Sequence, residues 1–177
     1  NSALYNALST TDVRSKVFSR TGAGVPIPPG GLRIPFQSQK FLAAGPALST
    51  GDVPMMRSAE MLLIEAEARA MAGQFTLAQD ALFTLMRNRD PNYVKSTQTG
   101  PALLAEIDLH RRVELWGEGF RFTDLKRRNL PLDRTLAPNT NIAISLVDKI
   151  PASDKLWQWL FPQDELNANK LLVQNPL

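Results

Sequence analysis

The densest set of side chains able to do chemistry lies in IDLHRRVELWGEGFRFTDLKRR, residues 107–128. It holds the only histidine of the chain, His110, beside Arg111, Arg112, Glu114, Glu118, Arg121 and a Lys126-Arg127-Arg128 run. At helical spacing, Leu109, Val113, Trp116 and Phe120 form one stripe, which predicts a buried face. A second row, Leu104, Ile107, Arg111, Glu114/Leu115 and Glu118, mixes apolar with charged side chains. A charge in such a row costs several kcal/mol to bury alone, roughly 3–5, so these groups are expected to pair. The spacing pairs Arg111 with Glu114, and Glu118 with Arg121 or Arg111. Two readings follow: a ligand or catalytic site, or an internal ion-pair network fixing how two helical pieces meet. The charges alternate with core positions and do not converge on a cleft, which favours the network.

Other catalytic arrangements are thin. There is no cysteine, so disulfides, thiol catalysis and cysteine-ligated metals are excluded. His110 has no second histidine and no serine or carboxylate at a recognised spacing, so no catalytic residue is assigned. No metal site and no cofactor is expected. Gly22-Ala23-Gly24 and Gly30-Gly31 lie among prolines and open no helix, which excludes a phosphate-cradling loop. The carboxylate pairs Glu65/Glu67 and Asp164/Glu165 read as solvated helix positions. Lys126–Arg128 complements a helix C-terminus. With 20 basic and 17 acidic residues, the net charge of +3 does not argue for nucleic acid.

The elements that position these groups follow from periodicity. Gly117 and Gly119 bend or end the helix that Pro101 opens, and residues 120–128 continue as a shorter piece. Upstream, Asp52 is a plausible N-cap and Pro54 suits a first turn, leading into PMMRSAEMLLIEAEARAMAGQF. Met55, Ala59, Leu62, Leu63, Ala66 and Ala70 make one apolar face of that helix. Met61, Ile64, Ala68 and Met71 make much of another, so the helix is expected to be sandwiched. Arg57/Glu60 and Glu65/Arg69 are spaced as surface ion pairs. Gly73 ends it, and residues 76–89 form a partner with Leu77, Ala78, Ala81, Leu82 and Leu85 facing back. The order Ala66, Gly73, Ala78, Leu82, with a proline after the second helix, follows a tetratricopeptide hairpin. One such unit cannot bury both faces, so other parts of the protein must cover it.

The flanks are irregular. Residues 1–8 read as a short helix or a loose tail. Prolines at 26, 28, 29 and 35 forbid regular helix, leaving short edge strands around 33–36 and 39–42. Residues 129–150 read as loop with a short strand at 141–146, and Pro162–Leu166 as an acidic helical turn. The fold class is therefore mainly α: one tetratricopeptide-like hairpin, further helices, long irregular loops and few short strands. We expect one domain over 1–177, with loop-rich 1–53, a helical core at 54–128 and a loop-rich closing segment at 129–177.

ELWGEGFRFTDLKRR resembles the signature of the SusD/RagB family, nutrient-capturing surface lipoproteins of Bacteroidetes. Three further stretches agree in order. Asp12–Arg14 with Gln39–Leu42 resembles the family's stretch before its last hairpin. Arg57, Glu60, Leu63, Ile64, Ala66, Glu67 and Ala68 match its R-x-x-E-x-x-L-I-x-A-E-A run. The end, from Trp157 to Pro176, resembles the family's proline-led acidic turn and Gln-Asn-Pro close, with Gln163 where Ile or Val is usual. His110-Arg111-Arg112 stands where the family usually has Glu-Arg, leaving the arginines short of one acid.

The resemblance implies a non-enzymatic surface protein that delivers oligosaccharide, or peptide, to a TonB-dependent transporter of the SusC type. It implies a location at the outer membrane, held by a lipid anchor upstream of Asn1. The chain would then be the carboxy-terminal part of a longer protein with its own end intact. Sugar rings need aromatic faces, which makes Tyr5, Phe36, Trp157 and Trp159 the ligand-binding candidates, with Phe18 and Tyr93 behind them. Arg57, Glu60, Arg111, Glu114, Glu118 and Arg121 are expected as structural ion pairs. The competing class is a tetratricopeptide-type protein-interaction scaffold without a small ligand.

Overall fold

A computed structural model describes residues 2–25, 27, 30–41, 52–137 and 147–176. The expected strand at 141–146 lies outside the described residues. The chain forms two compact units, residues 1–120 and 121–177.

The first unit is organised by three helices. Helix α1 is Ser2–Asn6, a 3₁₀ turn covers Val13–Val17, α2 is Ser58–Met71, α3 is Phe75–Met86 and α4 is Gly100–Glu114. Helices α2 and α3 form the hairpin, and α4 packs against both. Ala59, Leu63, Ala66 and Ala70 on α2 meet Ala78, Ala81, Leu82, Leu85 and Met86 on α3, with Leu103 and Ile107 from α4 closing the core. The alanines let the hairpin axes approach closely. Leu63, Leu82 and Leu103 are fully buried, each contributing about 1.5–3 kcal/mol. Gly73 takes φ +75° and closes α2, its N–H reaching the Ala70 carbonyl while Gln74 N–H reaches Arg69.

Several expectations are corrected here. Helix α2 starts at Ser58, not near Pro54, because Arg57 is extended at φ −144°, ψ 150° with its side chain drawn towards α4. Leu77 is exposed, since the buried stripe of α3 runs Ala78, Ala81/Leu82 and Leu85. On α4 the buried residues are Leu103, Ile107, His110, Arg111, Val113 and Glu114, so the mixed row is buried as well as Val113 of the expected stripe. Leu109 and Trp116 are only half-buried. The second apolar face of α2 is open among the described residues: Met61 is 48%, Ile64 46% and Met71 67% exposed.

The loop-rich start is pinned by a two-stranded antiparallel ladder, β1 (Phe18–Ser19) against β2 (Gln37–Ser38), with Phe18 opposite Ser38. The strand therefore falls between the two expected edge segments. Val13 N–H also donates to the Arg89 carbonyl at 2.8 Å, tying the 3₁₀ turn to the end of α3.

Helix α5, Phe120–Arg127, begins where the first unit ends. The second unit then holds β3 (Leu132–Asp133) paired antiparallel with β4 (Lys149–Ile150), where Asp133 and Lys149 form an ion pair at 3.3 Å. A 3₁₀ turn at Lys155–Trp157 is capped by Asp154, and α6, Gln163–Ala168, follows Pro162 with Asp164 and Glu165 in its first turn. The molecule is mainly helical, with six α-helices and only two-residue strands among the described residues. No helix among them is long and apolar enough to cross a membrane.

Candidate functional site

Two charges of the 107–128 stretch, Glu114 and Glu118, meet at the carboxyl end of α4. Glu114 closes that helix, and Gly117 at φ +77° turns the chain so that Glu118 comes back beside it. Their side chains are only 4% and 2% exposed. Arg57, at the start of α2, spans the two. Its Nη1 donates to Glu114 Oε1 at 2.9 Å, and its Nε and Nη2 donate to Glu118 at 3.1 and 2.7 Å. Nη2 also reaches the Glu114 carbonyl at 2.6 Å. Lys40 donates to the Glu114 and Trp116 carbonyls at 2.8 and 3.0 Å and pairs with Glu118. These two cations therefore satisfy carbonyls that the helix end leaves unpaired, where the macrodipole favours positive charge.

Arg89, just past α3, adds a two-point contact to Glu114, with Nε at 3.0 Å and Nη2 at 2.9 Å. Arg14 approaches the same carboxylate at 3.5 Å and is itself held by Asp12, Nη2 to Oδ2 at 2.7 Å. Its Nη2 also lies 3.1 Å from His110 Nδ1. An arginine can only donate, so this contact assigns the proton of neutral His110 to Nε2. Asp90 draws the amino-terminal segment in, accepting from Thr11 at 2.6 Å and from Ser9. Burial works against the charge on Glu114, but Arg89, then Arg57 and Arg14, outweigh it and hold its carboxyl at about 2. Burial also lowers His110, to about 4, with the Arg14 charge acting in the same direction. Lys40 is lowered by burial despite Glu118, while Arg57 is raised because Glu118 and Glu114 outweigh its burial.

Such a cluster is poorly suited to acid–base work. A carboxylate at about 2 is a feeble base near neutral pH, and a histidine at about 4 faces a guanidinium. Its oxygens are taken up by cations from four separate segments. Among the described residues no group of three histidines and carboxylates could hold a metal.

The geometry redistributes the expected ion pairs. Arg57 joins Glu114 and Glu118 across helices, and among the described ion pairs it has none with Glu60, which is buried on α2. Arg111 lies over the Phe120 ring at 5.3 Å, and the cations on Glu114 come from residues 14, 57 and 89. Glu118 is held by Arg57 and Lys40, while Arg121 falls in the second unit. Glu65 and Arg69 pair at 2.8 Å along α2. Helical spacing could not find Lys40, Arg14 or Arg89, because their partners are 74, 100 and 25 residues away.

The aromatic candidates fall into two groups. In the first unit Tyr5 meets Phe36 edge to face at 5.5 Å, both half-buried, with Phe36 at φ 61°. Phe18 is buried against Trp116, and the Tyr93 hydroxyl donates to Glu106 at 2.7 Å, so both serve the interior. In the second unit Trp157 and Trp159 flank Phe122, with centroids 5.4 and 6.1 Å away. Trp157 is 6% exposed and donates Nε1–H to the Pro151 carbonyl at 2.7 Å; Trp159 is 75% exposed. Phe122 carries both contacts, and sequence reasoning passed over it.

The family model described as the SusD family matches residues 32–177. The chain belongs to the SusD family. A SusD superfamily protein from Bacteroides thetaiotaomicron has a structure similar to this one, with 26% identity and TM-score 0.74, covering 98% of this chain and 39% of that one. A SusD-like carbohydrate binding protein from Bacteroides vulgatus is 27% identical with TM-score 0.60, covering 73% and 27% respectively. A third structure, also from Bacteroides vulgatus, shares the fold at 20% identity and TM-score 0.71. No curated protein matches the chain by sequence. This SusD-family chain thus spans well under half the length of the solved structures it matches. The family's carbohydrate-binding members are not enzymes.

Proposed function

We propose that this chain is the carboxy-terminal portion of a longer, non-enzymatic SusD-like protein that binds oligosaccharide at the cell surface. The whole protein delivers its ligand to a TonB-dependent outer-membrane transporter of the SusC type. It is held at the outer membrane by a lipid anchor outside these residues. No cofactor and no nucleic acid take part. The observation that carries this reading is the family match over residues 32–177. A solved relative described as carbohydrate binding supports the ligand class, and peptide is the second ligand class to be tested. The buried ion network is scaffold in this reading: every charged group in it is engaged with another part of the fold.

Within the chain, the aromatic faces that suit a sugar ring are Tyr5 with Phe36, and Trp159 on Phe122. Trp157 is the support beneath, its ring buried and its N–H satisfied. Affinity electrophoresis of the full-length protein through a panel of polysaccharides is the direct test. Retardation by one glycan, with the transporter barrel recovered alongside the protein from native membranes, is the expected outcome. Retention by protein partners alone would replace this reading with an interaction scaffold. Turnover of any glycan by the pure protein would overturn it.

A further inference from the structure

The run Trp159-Leu160-Phe161 is held by its backbone while its side chains stay outside. Trp159 is 75%, Leu160 50% and Phe161 38% exposed. Two side-chain amides do the holding. Gln174 makes a two-point pair with Phe161, its Oε1 accepting from the Phe161 N–H at 2.8 Å and its Nε2 donating to the Phe161 carbonyl at 3.1 Å. Asn175 Nδ2 donates to the Trp159 carbonyl at 2.6 Å, and the Asn175 N–H donates to Gln174 Oε1 at 3.0 Å. These amides take the part that a neighbouring strand plays in a ladder.

The bonding pattern sets where the rings stand. The backbone groups of residues 159 and 161 that meet residues 174 and 175 lie along one edge, the two-residue repeat of an extended chain. Gln158 before them is extended at φ −108°, ψ 134°, and Pro162 after them lies at φ −55°, ψ 144°. At that repeat Trp159 and Phe161 share one face and Leu160 takes the other. The rise of a strand places the two ring attachments about 6.6 Å apart.

Burial does not fix this segment, and Phe122 touches the Trp159 ring only edge to face. Without the amides the rings would sample many orientations, and a ligand would have to order them as it bound. With the amides that ordering precedes the ligand. We propose that Gln174 and Asn175 are positioning residues that hold Trp159 and Phe161 as one preorganised aromatic face for a chain of sugar rings. The inference rests on the glycan-binding reading given above and adds Phe161, Gln174 and Asn175 to it. Two rings in line suit an oligosaccharide better than a single sugar.

The test uses the full-length protein and, as probe, the polysaccharide that retards it in affinity electrophoresis. Asn175→Asp removes the donor to the Trp159 carbonyl, and Gln174→Met removes both bonds to Phe161 at similar side-chain length. Each is expected to weaken retardation about three- to tenfold, the worth of one hydrogen bond converted to affinity. The urea midpoint should barely move, because both amide contacts lie at the surface. In a Trp159→Ala background, Asn175→Asp should weaken binding no further, since it acts through that ring. Hydrogen exchange at the Phe161 amide reads the clasp without any glycan, and Gln174→Met should speed it. Unchanged exchange overturns the inference, as does unchanged retardation for both variants or an equal further loss in the Trp159→Ala background. So does a lowered urea midpoint with retardation intact, which marks a structural role alone. A parent protein retarded by no glycan overturns the glycan reading itself, and this inference with it. If one variant does not fold, the other decides.

Discussion

The two units handle their most reactive-looking groups in opposite ways. In the first unit Glu114 and Glu118 are sealed inside and surrounded by Arg14, Lys40, Arg57 and Arg89. In the second, Trp159 stands 75% exposed over Phe122, with a large apolar surface left to solvent. Charged groups that could bind or react are consumed by the fold. Apolar groups that the fold would ordinarily bury are left out. A binding protein can be built this way, because recognition of a sugar ring needs an open aromatic face, whereas a buried charge network serves to fix geometry.

The largest effect should come from removing the hub. Glu114→Ala leaves Arg14, Arg57 and Arg89 facing an empty, dry position, and removing one side of a buried pair costs roughly 3–5 kcal/mol. Urea denaturation of the full-length protein would measure it. A change below about 1 kcal/mol, the size of a surface pair, would mean that the cluster is solvated and the contrast between units false. The pH dependence tests the same point. Glu114 has its folded value near 2, below its ordinary 4.5, so its contribution is present above 4.5 and lost as pH falls towards 2. His110 is also depressed, to about 4 from 6.5, so the unfolded chain takes up its proton first and stability falls as pH drops from 6.5 to 4. His110→Gln keeps an acceptor for Arg14 and should flatten the limb between 6.5 and 4 while leaving the lower one.

Next in size is Trp157→Ala. The ring is 6% exposed and its N–H is bonded to the Pro151 carbonyl, so truncation should cost about 3–5 kcal/mol. Loss of near-ultraviolet dichroism together with an earlier urea midpoint would register it. An unchanged midpoint would say that Trp157 is not the support of its unit.

Gly117→Ala probes the turn that brings Glu118 back to Glu114. A Cβ there would lie 2.7 Å from Phe41 Cε2, and the residue sits at φ +77°. The Phe41 ring can swing away, but the backbone cannot, so the cost should be about 1–2 kcal/mol from left-handed φ alone. Pairing it with Phe41→Ala separates the two causes. Full rescue by the second change would show that the clash, not the backbone, demanded glycine.

How much of this was legible in the sequence follows from range. The hairpin was, because Ala59, Leu63, Ala66 and Ala70 repeat at helical steps and Gly73 marks their end. The turn at Gly117 and Gly119 was too. The partners of Arg57 were not: spacing sees only neighbours on one helix and so offered Glu60, three residues on, whereas the fold chose Glu114 and Glu118. The start of α2 was misplaced for the same reason, since Pro54 and Asp52 carry local signals while Arg57 answers to a distant carboxylate. The charged row of α4 read correctly as an internal network, but spacing offered partners on the same stretch, whereas the cations on Glu114 come from Arg14, Arg57 and Arg89. Among the aromatic candidates, residue type suggested Trp157 and Trp159 equally, and only burial separates support from platform.

The smallest expected change in stability is the most informative for function. The Trp159 ring makes an edge contact with Phe122 and is otherwise open, while its backbone carbonyl accepts from the Asn175 side-chain Nδ2 at 2.6 Å. Trp159→Ala should therefore shift stability by no more than about 0.5 kcal/mol, as surface substitutions do. Its effect on glycan retardation should be far larger, because covering an exposed aromatic side chain with the apolar face of a sugar ring removes from water a surface worth about 1.5–3 kcal/mol when fully buried. Trp159→Phe, which keeps an aromatic face, should restore part of the retardation and Trp159→Leu much less. If all three variants migrate like the parent protein through a polysaccharide that the parent binds, the exposed tryptophan is no platform. The sugar contacts must then come from Tyr5 and Phe36 or from residues beyond this chain, and the exposed ring of the second unit becomes a surface for another protein.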